Sequence, residues 1–251
     1  MGFERFAGAK SLAVVGASPR NLIARITLGN LARWGFSGTV RGVHPTEREL
    51  EGVQVVPTLE DTDAELALLA VGAARLPDAI REAAAAGTTA LVLPGAGANE
   101  GGREVETELR AAIAETGVEA IGPNCMGFAS LHEGVVPYVG TLDPDLQRGH
   151  VGFVSQSGSV CELFTALPWR VGFSHVISVG NELSIDLTDA MEFLVADERT
   201  RAVGLFVEGV RRPDAFRAAL RAAAEAGTTV VALKVGRSET SRAGTLAHTG
   251  A

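Results

Sequence analysis

Short apolar runs alternate along the chain with longer stretches in which apolar residues recur every three or four positions. Runs of the first kind lie at Ser11–Gly16, Gly38–Val43, Leu66–Val71, Ala90–Leu93 and Ala120–Ile121. Their length and their Val, Ile and Leu content predict strands. The segments between them, Arg25–Trp34, Leu76–Ala86 and Gly102–Thr116, carry the helical period. This βαβ rhythm predicts an α/β fold with a doubly wound parallel sheet, covered by helices. The rhythm breaks over Leu142–His150, where Asp143-Pro144-Asp145 and Gln147-Arg148-Gly149 have turn and linker chemistry. A second series follows, with strands at Val151–Val154, His175–Val179, Val203–Val207 and Thr229–Val235. Its helices are expected at Val160–Trp169, Leu187–Val195 and Pro213–Ala226. These strands are also apolar enough to predict cover on both faces. Two domains are expected, 1–145 and 146–251.

The chain has 251 residues, enough for two cores of ordinary size. Aromatic residues make up only 5%, which suits aliphatic strands under Ala-rich helices. The net charge of −8 argues against a nucleic acid or an anionic membrane as partner. It leaves room for a phosphate ligand held by a few local donors. Cys125 and Cys161 are too few for a disulfide scaffold and read as reduced thiols of a cytoplasmic protein. Residues 1–10 have no apolar core of a secretory signal. Met1-Gly2 begins a myristoylation pattern that fails at Phe6. No apolar run approaches the ~18 residues of a membrane span.

Parallel sheets bind ligands at the carboxyl ends of their strands. The first strand runs into Gly16-Ala17-Ser18-Pro19-Arg20. Small residues there let a backbone approach a phosphate, and a following helix adds its positive end. The same residues also suit a plain βα turn. A nicotinamide-nucleotide domain would show G-x-G-x-x-G and an acidic residue after the second strand. The turn lacks that fingerprint, and the second strand ends in His44-Pro45. A ligand with an extra phosphate on its ribose, as in coenzyme A, would be repelled by that carboxylate and tolerates its absence. His44 reads equally as an exposed loop histidine. Two further small-residue loops follow strands, Pro94-Gly95-Ala96-Gly97 and Gly122-Pro123-Asn124-Cys125. Asn124 has an amide able to bond a pantetheine carbonyl. Cys125 has no histidine near it in sequence, and a small buried thiol is its commoner fate.

In the second half, Val151–Val154 ends in Ser155-Gln156-Ser157-Gly158-Ser159 ahead of a helix. Hydroxyls and backbone N–H groups at a helix start make an anion site suited to a phosphoryl group. Capping by one serine is the simpler use, but three serines exceed it. G-x-S-x-G of the serine hydrolases is absent. Glu208 ends an otherwise apolar strand. A carboxylate there can fix the tautomer of a histidine, with His248 as the candidate, or can stand solvated at the strand mouth.

Together these segments resemble the NDP-forming acyl-CoA synthetases, relatives of the succinyl-CoA synthetase α subunit. The resemblance spans nearly the whole chain. Its marks are Val15-Gly16-Ala17-Ser18, Gly122-Pro123-Asn124-Cys125, Ser155-Gln156-Ser157-Gly158, Gly180-Asn181, Val207-Glu208-Gly209, Lys234-Val235-Gly236-Arg237 and His248-Thr249-Gly250-Ala251. His44 stands where family members usually have Asn, and Met126 where Pro or Leu is common. The resemblance implies a Rossmann-like CoA-binding domain followed by a flavodoxin-like ligase domain. It implies CoA contacts from Gly16, Ala17, Ser18, Pro19, Arg20, His44, Pro45, Val71, Gly95, Ala96, Asn124 and Cys125. It implies a phosphoryl site at Ser155, Gln156, Ser157 and Gly158. His248 would carry the phosphoryl group and Glu208 would steady its ring, with no metal held by these residues. The implied reaction joins a small carboxylic acid to CoA at the expense of ATP. ATP, ADP and Mg2+ would bind an ATP-grasp domain or β subunit outside these residues, and an oligomer is expected. The alternative is a non-catalytic CoA-binding regulatory module, as in acetyltransferase fusions.

Overall fold

The computed structural model describes residues 2–95, 98–166 and 170–236, the side chains of 98–103 excepted. A short helix, α1 (Glu4–Ala7), precedes the first strand, β1 (Ser11–Val15), and helix α2 (Leu22–Trp34). Strands β2 (Thr39–Val43), β3 (Glu49–Leu50), β4 (Val53–Val56) and β5 (Leu66–Leu69) follow. Helix α3 (Leu76–Ala85), strand β6 (Ala90–Val92), helix α4 (Ala98–Thr116) and strand β7 (Glu119–Ile121) complete a seven-stranded sheet in the order β3-β4-β2-β1-β5-β6-β7. All its pairings are parallel except β3 with β4. The order reverses between β1 and β5, which opens a crevice at their carboxyl ends.

The second sheet contains β8 (Gly127–Ser130), β9 (Arg148–Ser155), β10 (Phe173–Ser178), β11 (Ala202–Val207) and β12 (Thr229–Lys234), in the order β12-β11-β9-β10-β8. Helices α5 (Gly158–Thr165), α6 (Leu187–Ala196) and α7 (Pro213–Glu225) connect its parallel strands. Here the order turns between β9 and β11. The fold is thus α/β, a Rossmann-like doubly wound sheet followed by a flavodoxin-like one. Strand β8 pairs antiparallel with β10 in this second sheet, although it directly follows the first.

The cores are aliphatic. Leu12, Val14, Leu66, Leu68 and Val92 lie at or below 1% exposure in the first sheet. The stretch read as a linker is packed rather than free. Leu142 and Leu146 are buried in it, and just ahead of it Asn30 of α2 donates from Nδ2 to the carbonyls of Tyr138 and Gly140 at 2.8 Å each. One expectation is corrected. Strand β12 is not covered on both faces, since Val231 and Leu233 are 67% and 61% exposed. It lies at the sheet edge, where α7 is its one helical neighbour of note among the described residues.

Candidate functional site

The crevice of the first sheet is a cleft of about 740 Å³ whose wall includes Gly16, Val43, His44, Pro45, Val71 and Arg75. Gly16 has φ +85°, and a Cβ there would stand 2.4 Å from the Ala70 carbonyl oxygen. Only glycine lets the chain leave β1 this close to β5. The N–H groups of Gly16 and Ala17 both donate to the Val43 carbonyl, at 2.9 and 3.1 Å. Ala17 is fully buried, Ser18 is half-buried, and Pro19 and Arg20 are exposed.

Sequence reading missed the residue that shapes this turn. Asn21 accepts the Ala24 N–H as the cap of α2, while its Nδ2 donates to the carbonyls of Gly16 and Ala70 at 2.9 and 2.8 Å. The available signal was an Asn ahead of a helical period. His44 Nδ1 faces the N–H groups of Thr46 and Glu47 at 3.4 and 3.3 Å. Accepting them places the ring proton on Nε2.

Beside the cleft, the Asn124 N–H donates to the Gly95 carbonyl at 3.1 Å, which joins two of the expected loops. Asn124 is exposed with φ 59°. Cys125 is buried, and burial pushes its thiol up to about 12. It is a protonated core thiol at neutral pH. Ala96 lies outside the described residues.

The loop after β7 continues into the second site. The Gly122 N–H donates to the Val179 carbonyl at 3.1 Å, and the Asn181 N–H donates to the Pro123 carbonyl at 2.9 Å. Gly180 lies so close that a Cβ would meet the Pro123 oxygen at 2.3 Å. Behind this junction, at the carboxyl ends of β9 and β11, is a cavity of about 250 Å³. Its wall includes Gln156, Asn181, Glu182, Glu208 and Arg211.

Gln156 organises it. Its Oε1 accepts the N–H groups of Glu208 and Gly209 at 2.6 and 3.0 Å. Its Nε2 donates to Glu182 Oε1 at 2.8 Å and to the Gly209 carbonyl at 3.0 Å. Glu182 is 6% exposed, and burial pushes its carboxyl above the usual range. Gln156, the Leu187 N–H and Arg211 act against that push. Glu182 was not read from sequence, because a polar residue after Gly180-Asn181 has the look of loop.

The serine cluster has a different geometry from an N-cap. Ser155 is fully buried, donates to the Ser157 carbonyl at 2.7 Å and accepts the Ser157 N–H at 3.0 Å. Ser157 precedes α5 but makes no side-chain bond to its first turn. Helix α5 therefore starts at Gly158 without a serine cap. His248 lies outside the described residues. Among the described residues no three His, Cys, Asp or Glu side chains form a group able to hold a metal ion. No described helix is long and apolar enough to cross a membrane.

Residues 10–130 match the family model of a CoA binding domain, and residues 148–251 match that of a succinyl-CoA ligase like flavodoxin domain. A trans-feruloyl-CoA synthase from an unknown prokaryotic organism is 37% identical over 99% of this chain and 37% of its own length. An ADP-forming acetate–CoA ligase I of Archaeoglobus fulgidus is 32% identical over 98% of this chain and 36% of its own. The chain thus spans little more than a third of the length of these curated relatives. A solved structure, the Ca. Korarchaeum cryptofilum dinucleotide forming acetyl-coenzyme A synthetase 1 in complex with phosphate and ADP, superposes with a TM-score of 0.87 at 28% identity. That match covers 99% of this chain and 55% of the other.

Proposed function

The chain belongs to the NDP-forming acyl-CoA synthetases, and from that premise we propose that it binds CoA in its first half and relays a phosphoryl group through His248 in its second. The reaction is acid + CoA + ATP to acyl-CoA + ADP + Pi. Residues 1–145 form the CoA-binding part and 146–251 the ligase part. ATP, ADP and Mg2+ are handled by an ATP-grasp domain or β subunit beyond these residues, in a cytoplasmic oligomer.

The observation that carries this reading is the loop 122–124. One of its N–H groups bonds the Gly95 loop at the CoA cleft, and one of its carbonyls bonds Asn181 on the wall of the second cavity. A thiol held in the first crevice and a phosphoryl group held in the second would meet across it. The residues at the cleft fit CoA. The approach at Gly16 leaves no room for a side chain, and β2 delivers His44 and Pro45 rather than a carboxylate that would repel a ribose phosphate. CoA supplies the thiolate that takes up the activated acyl group.

At the second cavity the chain's own groups have defined tasks. Gln156 holds the backbone at Glu208, so that the Glu208 carboxylate can orient the His248 imidazole. A carboxylate bonded to one ring nitrogen leaves the other as the nucleophile toward phosphorus. The open start of α5 offers N–H groups to the phosphoryl oxygens. A regulatory module that only senses CoA has no use for such a carboxylate-lined cavity. The test is labelling of the complete enzyme by radiolabelled ATP and Mg2+. The wild type should yield an acid-labile, base-stable phosphoprotein that His248→Ala abolishes. CoA binding without label in the wild type would instead make the chain a regulatory module.

A further inference from the structure

Asn181 and Arg211 stand on the wall of the second cavity, and the relay described above uses neither side chain. The backbone of Asn181 is pinned on both sides. Its N–H donates to Pro123, and its carbonyl accepts from Arg211 Nη2 at 2.8 Å. Its side chain is different: the residue is 7% exposed, and Oδ1 is buried with no hydrogen-bond partner among the described residues. A buried polar atom without a partner costs about 1–3 kcal/mol, so one left at a cavity wall points to a ligand that would satisfy it.

Arg211 supplies the complementary charge. Its Nε donates to Glu182 Oε2 at 3.0 Å and its Nη2 holds the Asn181 carbonyl, while Nη1 makes no bond to the described residues. Glu182 is itself fixed by Gln156 Nε2 and by the Leu187 N–H, at 2.8 and 2.9 Å. The guanidinium is therefore held in one plane with an edge to spare. A half-turn of the Asn181 amide presents Nδ2 instead of Oδ1 at almost no cost in shape. An amide donor and a guanidinium edge on a 250 Å³ cavity match the oxygens of a tetrahedral anion.

We propose that Asn181 and Arg211 bind inorganic phosphate directly, with Glu182 as the residue that positions the guanidinium. The inference rests on the proposed phosphoryl relay and names two further residues for it. Arg211 is the one cation that faces the Glu182 and Glu208 carboxylates among the described residues of this wall, and it lowers in part their repulsion of a phosphate dianion.

The experiment measures the complete enzyme in the direction acyl-CoA + ADP + phosphate, alongside titration of the enzyme with inorganic phosphate alone. Asn181→Ala is the clean variant, because its side chain has no bond to the described residues to lose and its melting temperature should hold. Its KM for phosphate should rise about tenfold or more, equivalent to about 1.4 kcal/mol, while its KM for acyl-CoA stays put. Arg211→Lys keeps the charge without the fork and should raise the same KM. Glu182→Gln should do so more weakly, with Glu182→Asp partly restoring it. An unchanged phosphate KM in both Asn181→Ala and Arg211→Lys overturns the proposal, as does equal phosphate affinity in the titration. A wild type without phosphate-dependent turnover sinks the relay instead. Phosphate binding that weakens in Asn181→Ala would then still sustain the site.

Discussion

The side-chain amide of Gln156 donates to the carboxylate of Glu182 at 2.8 Å, across 26 residues of sequence. With its oxygen on the Glu208 and Gly209 N–H groups, one neutral amide fixes a strand end on one side and a buried carboxylate on the other. The assignment of the amide follows from that arrangement: the nitrogen faces the carboxylate and the oxygen faces the backbone donors.

Replacement of Gln156 by Leu strips partners from Glu182 and from two N–H groups at once. Each N–H left without its partner costs about 1–3 kcal/mol, while Glu182 keeps the Leu187 N–H and Arg211. The loss should lower the urea midpoint and reduce phosphoprotein formation at least tenfold, with CoA affinity unchanged. Urea unfolding and calorimetric titration of CoA check the two halves separately.

Two glycines give a contrasted pair. Gly16→Ala forces a side chain onto φ +85° and into the Ala70 carbonyl. The backbone conformation alone costs about 1–3 kcal/mol, and CoA binding should fall with it. Gly29 lies within α2 with nothing inside 4 Å of an added Cβ. Gly29→Ala should be neutral or stabilising by about 0.5–1 kcal/mol. Thermal melts of the two variants should move in opposite directions.

The thiols should be inert. Burial pushes both Cys125 and Cys161 up to about 12, far above neutral pH. Iodoacetamide at pH 7.5 should modify neither in the native protein and both in denaturant. Cys125→Ser should keep turnover within a few-fold, so complete loss of activity with the fold intact would return Cys125 to the chemistry.

Acid stability should follow His175. The residue is 2% exposed, and burial lowers its imidazole to about 4, against the help of Asp197 at 3.6 Å. Glu133 lies 4.0 Å from Nε2, and the nearby charge of His132 lowers the value further. The folded ring stays neutral while the unfolded one takes a proton below about 6.5. The stability this ring contributes is therefore complete above pH 6.5 and lost as pH falls from there toward 4. A His175→Phe variant should show a flatter stability profile across that window in urea titrations.

Much of this architecture was legible in the apolar rhythm. Strands β1, β5, β10 and β11 and the second half of β9 are short apolar runs that their neighbours largely bury, so local pattern and tertiary burial agree. Strands β3 and β4 were not read, because Glu49-Leu50 and Val53–Val56 are held as strands by pairing with each other and with β2. Strand β8 was missed for a related reason. Gly127–Ser130 follows a loop motif, and only its antiparallel register with β10 makes it a strand. At the sites, the glycine turn and the end of β11 were visible as small residues and a carboxylate after apolar runs. Glu182 and Arg211 were not, since what distinguishes them is bonding to residues far along the chain, Glu182 to Gln156 and Arg211 to Glu182 and Asn181, which no local spacing encodes.

The central claim is tested most directly by driving the relay from the CoA side. The complete enzyme is incubated with radiolabelled inorganic phosphate and an acyl-CoA, with nucleotide left out. The account predicts label on His248 that requires the acyl-CoA, is accompanied by free acid and CoA, and is absent from His248→Ala. Acyl-CoA binding with no label on His248, under conditions where the enzyme turns over with ADP added, would contradict it.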